Sequence, residues 1–284
     1  MNLQKPLLLP LIGLAGLLAA LFAGCQSPPP PAPVPQLGAQ AWTFRAYSFK
    51  QTVEKLDALG IRYLQAYSGQ RFGDGLEPKF THTMRPELQA EALAHLKKHN
   101  VTLASYGVVK AKTEADWRQI FAFATAMGLR EITCEATPEF MPLVDRLCRE
   151  TGVRASLHNH ATPAIYADPA VALAAVAPYG PHFGLCADTG HWVRSGFKPV
   201  DALRKAEGRI ISLHFKDLSG FAEKTARDVP WGTGVSDIAG QLAELRRQKF
   251  TGIVYLEYEH MSAELEADVA LCADYFRRWL ATAP

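Results

Sequence analysis

From Ala41 to the C-terminus, short apolar runs of strand length alternate with longer segments whose apolar residues recur every three to four positions. Strands are expected at residues 42–49, 62–67, 101–108, 130–135, 153–158, 183–188, 209–214 and 253–257. Helices are expected at 52–59, 86–99, 114–127, 138–150, 169–176, 200–206, 235–247 and 263–280. Asn100, Gly128, Gly152 and Gly208 stand where four of these helices should stop, the position that favours a left-handed cap. Eight strands alternating with eight helices over about 240 residues is the count of an α/β single-domain (β/α)8 TIM barrel. An open doubly wound sheet usually opens on a glycine-rich first turn, and no Gly-x-Gly-x-x-Gly is present.

The N-terminal pattern is of another kind. Lys5 precedes an almost wholly apolar stretch, residues 7–23, which ends in Phe22-Ala23-Gly24-Cys25. Residues 1–25 resemble a bacterial lipoprotein signal, in which Cys25 is lipidated and becomes the mature N-terminus. Pro10, Gly13 and Gly16 inside the run favour this over a membrane-spanning anchor of minimal length. Residues 26–40 follow as a linker, with Pro28 to Pro31, Pro33 and Pro35 favouring a stiff, extended spacer. The catalytic domain is then expected at 41–284, exported and held by a lipid anchor on the periplasmic or cell-surface side.

Composition narrows the function classes. A net charge of +2 with scattered Lys and Arg argues against a nucleic-acid surface, which needs a basic stripe. Membrane contact is expected only through the anchor. Cys134, Cys148, Cys186 and Cys272 form no Cys-x-x-Cys pair, so buried free thiols are expected, with a disulfide as the alternative.

The chemistry concentrates where apolar runs end. His158-Asn159-His160, Asp188-Thr189-Gly190-His191, His214-Phe215-Lys216-Asp217 and Glu257-Tyr258-Glu259 each close a strand-like run, spaced by roughly one βα unit of ~30 residues. Parallel strands in one barrel would bring all four ends to a single rim. Alternation pairs His158 with Ser156, Lys216 with His214, and Glu259 with Glu257 on shared faces. A divalent metal is thus offered Asp188, His214 and Glu257, with Glu135 or His158 from the fourth or fifth strand as a further ligand. Mixed nitrogen and oxygen donors suit manganese, cobalt or zinc better than magnesium.

The ordered runs Ala187-Asp188-Thr189-Gly190-His191-Trp192, Leu213-His214-Phe215-Lys216-Asp217, Trp231-Gly232-Thr233-Gly234 and Leu256-Glu257-Tyr258-Glu259 resemble the xylose isomerase-like barrel superfamily. That group includes sugar isomerases and epimerases, inosose dehydratases and apurinic-site endonucleases. The resemblance implies metal ligands at Asp188, His214 and Glu257. It also implies a glutamate at the end of the fifth strand in the epimerases, where this chain has His158-Asn159-His160. Either His158 serves there as a nitrogen ligand or Glu135 reaches across from the neighbouring strand.

One bound metal ion would stabilise the enediolate formed when a proton leaves the carbon beside a carbonyl. Glu259, Lys216, His160 and His191 are the candidate acids and bases. Arg45, Tyr67, Arg227 and Trp231 are candidates for holding a carbohydrate, the last two in a loop, residues 218–236, longer than most βα connections. The expected function is a metal-dependent isomerase or epimerase of an unphosphorylated sugar or keto-sugar. A 3-keto-glycoside lyase or hydratase on the same site is the alternative, and a non-catalytic sugar-binding lipoprotein the alternative of another class. A DNA-repair endonuclease would need further histidines on the second and third strands, where Gln65-Ala66-Tyr67 and Ser105-Tyr106-Gly107 stand.

Overall fold

The computed structural model describes residues 34–282. The expected lipoprotein signal, its Cys25 and most of the proline-rich stretch lie outside the described residues. Eight parallel strands close into a barrel: β1 (Gln36–Gln40), β2 (Tyr63–Ala66), β3 (Thr102–Val109), β4 (Glu131–Cys134), β5 (Arg154–His158), β6 (Phe183–Asp188), β7 (Ile210–Phe215) and β8 (Ile253–Leu256). Each pairs with its successor, and β8 returns to β1 in the register Gln36 to Ile253 through Ala39 to Leu256. The single-domain (β/α)8 barrel is the fold.

Helices cover the outside: α1 (Phe49–Ala58), α2 (Pro86–Lys98), α3 (Glu114–Ala126), α4 (Met141–Thr151), α5 (Pro169–Val176), α6 (Thr189–Arg194), α7 (Pro199–Lys205), α8 (Ile238–Arg247) and α9 (Leu265–Ala281). Ser48 starts α1 with a capping box, its hydroxyl accepting from the Gln51 amide while the Gln51 side chain accepts from the Ser48 amide. Asn100, Gly128, Gly152 and Gly208 all adopt positive φ, between 50° and 78°, as helix-stop residues do. Among the described residues no helix is long and apolar enough to cross a membrane.

The first strand departs from expectation. It is Gln36–Gln40, inside the stretch assigned to the linker, and not residues 42–49. The aromatic run after it forms a 3-10 turn, Ala41–Phe44, and then enters α1. Phe44 and Phe49 are buried, whereas Trp42 is exposed, a pattern that strand alternation mistook for one element. The true strand is short and polar, and Gly38 is required in it. A Cβ there would sit 2.7 Å from the Tyr255 ring and 2.8 Å from Ile253.

Two layers follow from strand alternation. Outward residues such as Leu64, Leu103, Ile132, Leu157, Leu213 and Val254 join helix residues such as Val53, Trp117, Val144, Leu203, Leu242 and Phe276 in one core. The barrel interior is polar instead, with Gln40, Gln65, Ser105, Glu131, Thr133, Ser156 and Ser212 all buried. They satisfy one another. The Gln65 amide donates to Ser105 Oγ at 3.0 Å and Thr133 Oγ1 at 2.8 Å. Ser212 Oγ donates to the Glu131 carboxylate at 2.6 Å, and Ser156 Oγ donates to the same oxygen. Buried polar groups are tolerable on those terms. The four described cysteines are free and buried.

Strand β6, which ends in Asp188, runs so close to β7 that a Cβ on Gly184 would collide with the Arg209 carbonyl oxygen. Gly184→Ala is therefore expected to cost about 1–3 kcal/mol in urea denaturation. An unchanged midpoint would contradict the close approach.

Candidate metal centre and substrate cavity

The C-terminal strand ends deliver the ionisable residues to one mouth. His158 ends β5, Asp188 ends β6, His214 lies on β7 with Lys216 just beyond, and Glu257 follows β8. Asn159 ties two of these ends together. Its Nδ2 donates to the Asp188 carbonyl and its Oδ1 accepts from the Asp188 amide, both at 2.9 Å.

Asp188 has two tasks. One carboxylate oxygen accepts from the His191 amide at 2.8 Å and caps α6, the local reason the chain turns into a helix there. The other oxygen, Oδ2, faces Lys216 Nζ at 2.5 Å, His158 Nε2 at 3.4 Å, His214 Nδ1 at 3.6 Å and His191 Nε2 at 3.7 Å. Glu257 Oε2 faces the same group, 2.6 Å from Lys216 Nζ and 3.0 Å from His214 Nδ1.

His214 is oriented from beneath. Because the Gln65 amide nitrogen already donates to Ser105 and Thr133, its oxygen is the acceptor facing His214 Nε2 at 2.7 Å. His214 Nε2 therefore donates to Gln65, and Nδ1 is the ring atom turned toward Asp188 and Glu257.

These donors fit a metal ion. One atom each from His158, Asp188 and His214 lies within 4.8 Å of the others, and all three residues are buried. Both ring nitrogens of His158, and Nδ1 of His214, are buried without a hydrogen-bond partner. Orphaned imidazole nitrogens beside two carboxylates form the kind of mixed donor set that a divalent metal ion satisfies. Between Glu135 and His158, it is His158 that stands with Asp188 and His214. Glu135 lies toward the other ring nitrogen, 3.5 Å from His158 Nδ1, and is bound by His160 Nδ1 and by Lys110 Nζ at 2.7 Å.

Charge in the mouth is balanced by Lys216. Burial disfavours its ammonium, but Asp188, Glu257 and Glu259 more than compensate and hold its pKa above the usual lysine range. Burial likewise pushes Asp188 and Glu257 up. Asp188 and Glu257 are nonetheless brought well below the usual carboxylate range, with Lys216 the cation common to both. Burial also opposes ionisation of Glu135, yet the nearby His158 and the bonds from His160 and Lys110 keep it ionised. His191 is pushed well down by burial, against the pull of Asp188, and so stays neutral.

Above this floor opens a cavity of about 280 Å³, lined by His158, His160, His191, Glu257 and Glu259, with Trp42, Tyr67 and Lys110 among its walls. Glu259 is held by Arg194 Nη1 at 2.5 Å and stands 3.7 Å from Lys216 Nζ. Arg194 also reaches Asp228 at 3.3 Å. Burial raises the Asp228 carboxyl to about 7, with Lys216 and Arg194 opposing.

The model of one protein family, the xylose isomerase-like TIM barrel, matches residues 53–279, most of the chain. The chain belongs to that family. Among curated proteins none matches it. Of solved structures, an uncharacterised protein from Parabacteroides distasonis is 28% identical with a TM-score of 0.71, covering 86% of this chain and 99% of its own. A D-psicose 3-epimerase from Clostridium cellulolyticum is 14% identical, TM-score 0.67, with 87% and 100% covered. A probable 3-DHS dehydratase from Bacillus anthracis is 15% identical, TM-score 0.66, with 85% and 98% covered. At those identities the last two establish the shared fold.

Within this xylose isomerase-like barrel, the expected sugar-holding residues divide. Tyr67 lines the cavity, packed edge-on against Trp42 with ring centroids 5.1 Å apart. Arg45 sits at the rim, donating to the Glu259 carbonyl at 2.6 Å, with its guanidinium 5.3 Å from the Trp42 ring centre. Arg227 and Trp231 do not belong. Arg227 is exposed and does not line the cavity, and Trp231 is buried against Phe215 with centroids 5.7 Å apart. The cause is Asp217. Its carboxylate accepts from the amides of Gly232 at 2.8 Å, Gly234 at 2.9 Å and Ser236 at 3.0 Å, drawing the Trp-Gly-Thr-Gly run inward. Residues Asp217–Leu218 and Asp228–Val229 pair as a small antiparallel ribbon, which places Asp228 beside Arg194.

Sequence reasoning missed Trp42, Lys110, Arg194, Asp228 and the supporting Gln65. Trp42 was within reach, as an aromatic residue just beyond the first strand once that strand is placed at Gln36–Gln40. Trp231→Ala is expected to lose about 3–5 kcal/mol of stability, whereas Trp42→Ala changes it by no more than about 0.5 kcal/mol. Thermal and urea denaturation decide the matter, and the reverse ranking would return Trp231 to the surface.

Proposed function

We propose that this chain is a divalent-metal-dependent isomerase or epimerase of an unphosphorylated sugar or keto-sugar, acting by proton abstraction next to a carbonyl. The observation that carries this reading is the convergence of His158, Asp188 and His214, with unpartnered ring nitrogens, beneath a cavity that His158 and Glu257 line. Asp188, His214, Glu257 and His158 would hold the ion. When bound, such a cation acts as a Lewis acid toward substrate oxygens and stabilises negative charge after the neighbouring proton leaves.

The remaining work falls to the protein's own side chains. Glu259 stands partly open to the cavity and is fixed in place by Arg194, which suits a base that takes the α proton. Lys216 is a buried ammonium that offsets the charge of Asp188, Glu257 and Glu259. His160, half-exposed at the cavity and bound to Glu135, is placed to return a proton from another direction. Neutral His191 completes the wall, and Trp42 and Tyr67 offer apolar faces to a sugar ring.

One observation favours elimination as a second reading. The fifth-strand end carries His158, whereas the two-base epimerisation implied by the family resemblance needs a glutamate there. With Glu259 taking the α proton and the His160 ring protonating the departing oxygen, the C–H and β C–O bonds break and a double bond forms. That sequence describes a lyase acting on a 3-keto-glycoside. The leader-like N-terminus supports action outside the cytoplasm, where unphosphorylated glycosides are the available substrates.

The test is incubation of the metal-loaded protein with sugars and 3-keto-glycosides in deuterium oxide. Deuterium beside the carbonyl is expected for isomerisation or epimerisation, and an unsaturated or cleaved product for elimination. Asp188→Ala and Glu257→Ala should each lower the rate at least about a hundredfold. No exchange and no product with any substrate, with sugar binding unchanged in both variants, would point to a binding protein instead.

A further inference from the structure

A second cluster of metal-ligating side chains lies outside the barrel mouth, between the two outer helices α1 and α2. We propose that Glu54, His95 and His99 form a zinc-type cation site that clamps α1 to α2, independent of the barrel-mouth chemistry. His95 and His99 are four residues apart along α2 and its C-terminal cap, the spacing that puts two imidazoles on one helix face. Their ring centroids are 4.7 Å apart. Glu54 approaches from α1, its Oε1 3.7 Å from His95 Nε2, and one atom from each of the three lies within 4.8 Å of the others.

The surroundings are those of a metal-binding histidine. His99 Nδ1 faces Asp57 Oδ2 at 3.1 Å, and Asp57 is itself held by Arg62 at 2.7 Å. A ring that donates Nδ1–H to a carboxylate presents its Nε2 lone pair, the orientation second-sphere carboxylates impose on zinc ligands. That His99 Nε2 is buried and has no hydrogen-bond partner. His95 is oriented in turn by the Lys50 carbonyl, which accepts from its Nε2 at 3.1 Å and so leaves Nδ1 as the nitrogen with a lone pair for a cation. The neighbouring ammonium groups are drawn elsewhere, Lys50 to Glu91 and Lys55 to Glu266, each at 2.6 Å. Two imidazoles and one carboxylate select a borderline cation such as zinc over magnesium or calcium, and leave a fourth position for water.

Zinc titration of the purified full-length chain, read by calorimetry and metal analysis, tests the site. His95→Ala with His99→Ala should lose one equivalent of zinc, in the wild-type background and equally in an Asp188→Ala/His214→Ala background. The second background keeps this result separate from any failure of the barrel-mouth reading. Glu54→Gln, at an exposed position that folding does not need, should weaken the same equivalent at least tenfold. In the otherwise unaltered protein, zinc should also shift the His99 ring-nitrogen resonance, identified by its loss in His99→Gln. Unchanged zinc stoichiometry in the double variant, or a His99 resonance indifferent to zinc, would overturn the proposal.

Discussion

The buried ammonium of Lys216 is the constraint on which the barrel mouth depends. Asp188 and Glu257 are both buried, at the ends of the strands on either side of β7, and carboxylates cannot remain ionised there without a cation. Lys216 supplies it at 2.5 and 2.6 Å. Gly190 makes room for the lysine, since a Cβ there would lie 2.7 Å from its Cδ. The Lys-Asp pair after His214 thereby divides the labour. Lys216 neutralises the floor, and Asp217 gathers the long loop that brings Asp228 to Arg194.

A second dependence runs vertically. The polar interior beneath the mouth orients the side chains at the strand ends, with no need to supply hydrophobic stability there. Gln65, fixed by donating to Ser105 and Thr133, accepts from His214 Nε2 and so decides which nitrogen faces the carboxylates. The apolar packing that stabilises the fold lies instead between the strands and the helices. Separating the two lets the interior be specialised without weakening the core.

Much of this was legible in the sequence because strand period and site chemistry coincide. An apolar run ending in Asp188, His214 or Glu257 announces both a strand and what stands at its end. The structure accordingly brings those residues together with His158 and Lys216. What escaped the reading was set by contacts remote in sequence. Trp231 looks like a stacking platform until Asp217 is seen pulling its backbone inward. Arg194 reads as an ordinary surface residue, because its partners Asp228 and Glu259 are 34 and 65 positions away. The first strand was hidden by the prolines that precede it and by its low apolar content, and with it the position of Trp42.

The central claim is that Asp188, His214, Glu257 and His158 form a metal centre whose charge Lys216 otherwise balances. Anomalous diffraction from crystals grown with manganese or zinc tests it most directly. The account predicts a peak at coordination distance from those four side chains, with the Lys216 ammonium moved away from at least one of the two carboxylates. A Lys216 ammonium still seated between Asp188 and Glu257, with no anomalous peak at the strand ends, would contradict it.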